Sequence, residues 1–155
     1  MNEQGSKDLT RIVMSSLESL AFMFSSSDPQ RQPIDFKEAV TGIVSFSGAF
    51  SGQLAVVITS SVLSELAANM LGTDADEVGT AEQHDALKET VNIICGNWLP
   101  CEAGAEAVFN IGEPRILTPS EAASILNVKI PTVLTQMSVE DEPCDVYFFR
   151  DTPLS

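Results

Sequence analysis

The sequence predicts an α+β fold: an antiparallel β-sheet with long amphipathic helices packed on one of its faces. Three observations carry that expectation. Leu54, Val56 and Ile58 fall on alternate positions, as a strand with one buried face requires, and Val40, Val44 and Phe46 mark a partner strand, with Ser, Gly and Ala between them at 47–52. Leu87, Val91, Ile94 and Trp98 follow one another at intervals of four, three and four, which gathers them on one helical stripe. Strands grouped with strands, rather than alternating singly with helices, indicate a layered α+β arrangement.

In chain order, Met1 to Lys7 is a polar stretch expected to fray. Leu9, Ile12, Val13, Leu20 and Phe24 recur at helical spacing and predict a first amphipathic helix from about Asp8 to Phe24, ended by the polar, proline-bearing loop Ser25 to Pro33. The two strands between Phe36 and Thr59 read as a hairpin. Leu63, Leu66, Ala67, Met70 and Leu71 then give a helix stopped by Gly72. Thr73 to Thr80 carries alternating acids but lacks the twelve-residue calcium-loop pattern and its closing Glu, so it reads as a solvated linker. The next helix should begin near Ala81 and be bent or stopped by Pro100, with Cys101 to Gly104 as an irregular exit and Trp98 as a core anchor. Ala107 to Ile111 and Arg115 to Leu117 are strand-like, broken by Gly112 and Pro114. Thr118, Pro119 and Glu121 carry the marks of a helix start, an N-cap, a first-position Pro and a third-position Glu, and that helix runs to Leu126. Two closing strands, Lys129 to Val139 and Cys144 to Arg150, flank the acidic turn E-D-E-P.

At 155 residues the chain fits one domain, spanning 1–155. Such a domain buries roughly 68–70% of the surface of its unfolded chain and needs no metal or disulfide to hold it. Twenty-two acidic against eight basic residues leave a formal charge of −14, which repels nucleic acid and anionic membrane and would attract a partner with a basic rim, although acidity also serves solubility alone. Cys95, Cys101 and Cys144 are odd in number and contain no C-x-x-C pair, so reduced thiols in a cytoplasm are expected and neither a disulfide framework nor a zinc site is indicated. No basic leader precedes an apolar run, and no window is long enough to span a bilayer. His84, the only histidine, lies about 100° off the polar stripe described next and has no nucleophile motif beside it, so it reads as a surface residue.

The functional signal lies in D-A-L-K-E-T-V-N-I-I-C-G, Asp85 to Gly96. Asp85, Glu89, Asn92 and Gly96 lie within roughly 60° of one another on a helix, about 160° from the apolar stripe. A polar stripe is ordinarily a solvated face. Asn, however, competes with helix backbone bonds, and Gly one turn later costs up to about 1 kcal/mol against Ala, so a helix selected only for solubility would use other residues there. Asn92 offers a donor and an acceptor together, beside backbone that a partner could approach.

D-x-x-x-E-x-x-N continuing into I-I-C-G-N resembles the CheX/CheC family of chemotaxis phosphatases, in which an Asp or Ser, a Glu, an Asn and a later Pro form the signature. The corresponding residues are Asp85, Glu89, Asn92 and Pro114, the last one residue closer than the family spacing. The segment G-I-V-S-F-S-G-A-F-S-G-Q-L-A-V-V-I from Gly42 and the helix ending N-M-L-G at Gly72 extend the likeness over about residues 10–150. CheC members carry two copies of the motif and CheX members one. On that analogy the first helix is a silent counterpart, with Glu18 laid over Glu89, Ala21 over Asn92 and Met14 over Asp85; Glu18 is equally read as an unrelated surface carboxylate.

The resemblance implies a CheX-like fold and a phosphatase acting on the phosphoaspartate of a CheY-like response regulator, in chemotaxis or a related two-component pathway. Asn92 would hold the attacking water in the partner's active site, Glu89 would pair with the partner's Lys, Asp85 would help dock, and Gly96 would give clearance. No cofactor of its own is implied; the phosphorylated receiver domain would bring Mg2+. A homodimer, which the family favours, would form through a sheet edge or another surface and leave this helix face open. Two other readings suit the same residues: a module that holds a receiver domain without hydrolysing anything, and a structural dimer that buries the face.

Overall fold

A computed structural model describes residues 3–29, 31 and 33–151. Among them the chain forms helices α1 (Glu3–Ala21), α2 (Ser60–Leu71), α3 (Thr80–Ala103) and α4 (Pro119–Leu126). Its strands are β1 (Ser25–Ser27), β2 (Ala39–Gly48), β3 (Gly52–Thr59), β4 (Phe109–Ile111), β5 (Arg115–Leu117), β6 (Val133–Val139) and β7 (Glu142–Arg150). The seven strands make one antiparallel sheet in the order β1-β6-β7-β3-β2, with β4 and β5 sharing the far side of β2.

Side-chain alternation divides the sheet cleanly. Val44 and Phe46 of β2, Leu54, Val56 and Ile58 of β3, and Cys144, Val146 and Phe148 of β7 face α1, α2 and α3 in the larger core. Ile43, Ala55, Val57 and Phe149 point the other way, where α4 covers them with Ala122 and Leu126. The long helices thus lie on one face, as predicted, and the short α4 packs on the second over β2 and β5. Gly42 sets the distance on the helix side: a Cβ there would stand 2.9 Å from Val91 Cγ2 and 3.1 Å from Leu87 Cγ, so its absence lets α3 sit directly on β2.

Several boundaries differ from the sequence expectations. Glu3 to Lys7 is helical rather than frayed, while Met1 and Asn2 lie outside the described residues. Helix α1 stops at Ala21, not Phe24, because Phe22 takes a left-handed φ of 55°, a conformation that costs a bulky L-residue about 1–2 kcal/mol. The reversal sends Met23 into the core and leaves Phe22 (80%) and Phe24 (77%) exposed. Ser25–Ser27, expected as loop, pairs with β6 in register Ser25↔Val139; Gln30 and Gln32 of the same expected loop lie outside the described residues.

Strand β6 begins at Val133 rather than Lys129, and β4 at Phe109 rather than Ala107. The turn between the last strands is only Glu140-Asp141, both left-handed as a two-residue hairpin loop requires, so Glu142 and Pro143 belong to β7. Helix α3 also runs on through Pro100 to Ala103, where Gly104 N–H donates to the Pro100 carbonyl at 2.9 Å. Proline removes one intrahelical bond, the one to the carbonyl of Gly96. Trp98 and Leu99, both buried, hold the helix on the core across that gap. No helix among the described residues is long and apolar enough to cross a membrane.

Candidate functional site

Helix α3 presents its two faces as its sequence dictates. Leu87, Val91, Ile94 and Trp98 are fully buried, and Trp98 packs edge-on against Phe148 of the central sheet with ring centroids 5.5 Å apart. On the opposite side Asp85, Glu89, Asn92 and Gly96 are all exposed, forming a continuous ridge about three turns long. The start of the helix is fixed by Glu82, whose carboxylate accepts from Gly79 N–H at 3.1 Å.

The two asparagines of α3 are used differently. Asn97 donates to Ser16 Oγ of α1 at 3.2 Å and so stitches two helices together. The side-chain carboxamide of Asn92 makes no hydrogen bond to any described residue, nor do the carboxylates of Asp85 and Glu89 form an ion pair with one. Their hydrogen-bonding capacity therefore faces outward. A Cβ at Gly96 would meet nothing within 4 Å, so the glycine answers no steric demand of the fold itself. Cys95, about 90° round the helix from the ridge, is fully buried; burial pushes its thiol up to about 12, which leaves it protonated and unsuited to nucleophilic work.

Pro114 stands half-buried in the turn between β4 and β5, two strands that both touch α3, and not on the ridge itself. His84 is half-buried beside the ridge. On α1, Met14 and Glu18 are exposed but Ala21 is fully buried, so the counterpart of the Asn92 position is sealed.

Sequence reasoning missed the neighbourhood of the ridge. Leu20 of α1 and Met70 and Leu71 of α2 form one wall of a groove of about 250 Å3 whose other wall is Glu82, Asp85 and Glu89. Leu71 was expected in the buried stripe of α2 but is 53% exposed. The signal was present: it falls about 80° from Leu63, at the margin of that stripe.

Such a ridge can dock to a concave partner and present a carboxamide and a carboxylate into it. It contains no nucleophile–base pair for chemistry of its own, and among the described residues no three His, Cys, Asp or Glu side chains come together where they could hold a metal ion.

The sequence matches the family model for the chemotaxis phosphatase CheX over residues 40–145. No curated protein matches the chain by sequence. Among solved structures, the CheX of Vibrio vulnificus is 15% identical, with 96% of this chain and 97% of that one covered at a TM-score of 0.72. A CheX from Desulfovibrio desulfuricans is 16% identical, covering 96% and 99%, with a TM-score of 0.69. The Borrelia burgdorferi CheX, solved in complex with CheY, BeF3 and Mg, is 15% identical over 94% and 97%, with a TM-score of 0.68. At these identities the likeness is one of fold. The family match, which takes in the hairpin, the ridge helix and most of the closing strands, covers well over half of the residues, and on it the chain belongs to the CheX family of chemotaxis phosphatases.

Proposed function

We propose that this chain hydrolyses the phosphoaspartate of a CheY-like receiver domain, with Asn92 as the residue that positions water. The observation that carries this reading is the outward, internally unpartnered carboxamide of Asn92 on a ridge held rigidly by Trp98 and Leu87. An aspartyl phosphate is already a reactive acyl phosphate, so the protein's task is alignment more than activation. Water attacks phosphorus opposite the Asp oxygen, the P–O bond to that carboxylate breaks, and the water's proton ends on the released phosphate. The Asn92 carbonyl accepts from the attacking water and orients its lone pair. Glu89, three residues earlier on the ridge, pairs with the partner's Lys through a charge-assisted bond and fixes the depth of insertion. Asp85 meets the rim of the docked partner, and Gly96 leaves room for it.

The receiver brings the magnesium ion, which neutralises phosphoryl charge when bound. A receiver partner places the activity in the cytoplasm. A homodimer, if formed, would use an edge such as β1 or β4, leaving the ridge free.

The test is phosphate release from a phosphorylated receiver with and without this protein. Asn92→Ala is expected to lower the stimulated rate by about 100-fold, on the scale of losing one positioned transition-state group, while affinity for the receiver changes little. Binding by the parent protein with no acceleration would leave only a docking module.

A further inference from the structure

The groove beside the ridge has two chemically unlike walls. On one side Glu82, Asp85 and Glu89 recur at intervals of three and four along α3; on the other stand Leu20, Met70 and the half-exposed Leu71. The groove is structurally fixed: Asn69 Nδ2 donates to the Ala21 carbonyl at 2.8 Å and ties the last turn of α2 to the end of α1. Glu82 spends one bond on Gly79 N–H, and no cation of the described chain pairs with any of the three carboxylates.

An anion would be repelled here, and a purely apolar side chain would strip water from carboxylates without replacing it. What fits both walls is a long aliphatic stem ending in a cationic head, an Arg or Lys side chain, which lays its methylenes along leucine and methionine and its charge against carboxylate. Because Asp85 and Glu89 belong to groove and ridge alike, whatever docks on the ridge covers the mouth of the groove.

We propose that the groove between α1, α2 and α3 is a specificity pocket that receives an Arg or Lys of the docked receiver, distinct from the Lys paired with Glu89, and so selects which receiver is bound. The proposal rests on the phosphatase reading. Its recognition element includes Leu71 and Glu82, which that reading does not use.

The test compares Leu71→Ser, Glu82→Gln and their combination with the parent, using the tightest-binding CheY-type receiver of the host cell. Binding is measured with that receiver loaded with beryllofluoride and magnesium, and turnover with its phosphorylated form. Both changes are mild, since Leu71 is half exposed and Gln retains the oxygen that accepts from Gly79. The double variant is expected to raise Kd and KM about 10-fold at low salt and leave kcat within about twofold. The part of the loss due to Glu82→Gln should shrink as salt rises. Unchanged Kd and KM, or a fall in kcat alone, would overturn the pocket. Asn92→Ala in the same series separates the two ideas: if it keeps full turnover the phosphatase mechanism fails, while a Kd shift in the groove variants would still establish docking there.

Discussion

Helices α1 and α3 lie side by side on the same face of the sheet, joined by the Asn97–Ser16 bond, and each buries a complete apolar stripe: Leu9, Val13, Leu17 and Ala21 in one, Leu87, Val91, Ile94 and Trp98 in the other. Their outer faces differ. On α3 the positions after the ridge glutamate continue for several more residues of helix, so Asn92 and Gly96 stand clear of the core. On α1 the helix ends three residues after Glu18, and that last residue, Ala21, is 0% exposed beneath the end of α2. What separates an open ridge from a closed one is therefore where the helix stops relative to the glutamate, as much as which side chain follows it.

The comparison is broken most directly by giving α3 the residue that α1 has. Asn92→Ala should cost about 100-fold in stimulated hydrolysis, roughly 2.7 kcal/mol of transition-state free energy. Its effect on folding should have the opposite sign, because Ala exceeds Asn in helix propensity by several tenths of a kcal/mol. A slightly raised Tm alongside lost turnover would mark Asn92 as kept against the preference of its own helix. A parallel loss of Tm and activity would instead make it a structural residue.

The reverse exchange, Ala21→Asn, should not create a second site. The position is fully enclosed and its own carbonyl already accepts from Asn69, so a larger polar side chain must both force space and go unpaired. A cost of about 2–3 kcal/mol follows, or roughly 4–12 °C in Tm for a chain of this size. Thermal unfolding measures it, and phosphate release should remain at the parent's rate per folded molecule.

Much of this contrast was written in the sequence, and the parts that were not share a cause. The ridge was legible because spacing alone separates Asp85, Glu89, Asn92 and Gly96 from the apolar stripe, and the Thr118–Glu121 capping box because it is a purely local device; Thr118 Oγ1 accepts from Glu121 N–H at 3.1 Å. The end of α1 was not. Periodicity carried the helix on to Phe24, and nothing local announces that Phe22 will turn left-handed to bury Met23. Three serines show no strand preference, yet Ser25–Ser27 pairs because β6 offers an edge. Pro100 should break a helix, but its place on the exposed side, with Trp98 and Leu99 anchored beneath, lets α3 continue. The groove needed three helices at once, and no single window contains it.

Gly96 sharpens the comparison from the other direction. Since a Cβ there meets nothing within 4 Å, Gly96→Ala should stabilise the fold by about 0.5–1 kcal/mol, read as a rise of roughly 1–4 °C in Tm. If the glycine serves clearance for a docked partner, the same variant should bind the beryllofluoride-loaded receiver less tightly. Tighter folding with undiminished binding would remove Gly96 from the site.

The smallest expected effect falls on Glu18. It is exposed and forms no ion pair with a described residue, and the helix that carries it ends one turn later, so nothing beyond it could complete a docking ridge. Glu18→Ala should change stability by less than about 0.5 kcal/mol and leave turnover and receiver affinity where they were, in contrast to Glu89→Ala, which on the proposed pairing of Glu89 with the partner's Lys should weaken docking about tenfold or more. Measured as a pair, the two substitutions ask whether position on the fold or mere resemblance in sequence decides function. Equal losses from both would mean that α1 also meets the partner, and that the enclosure of Ala21 does not silence the face on which Glu18 stands.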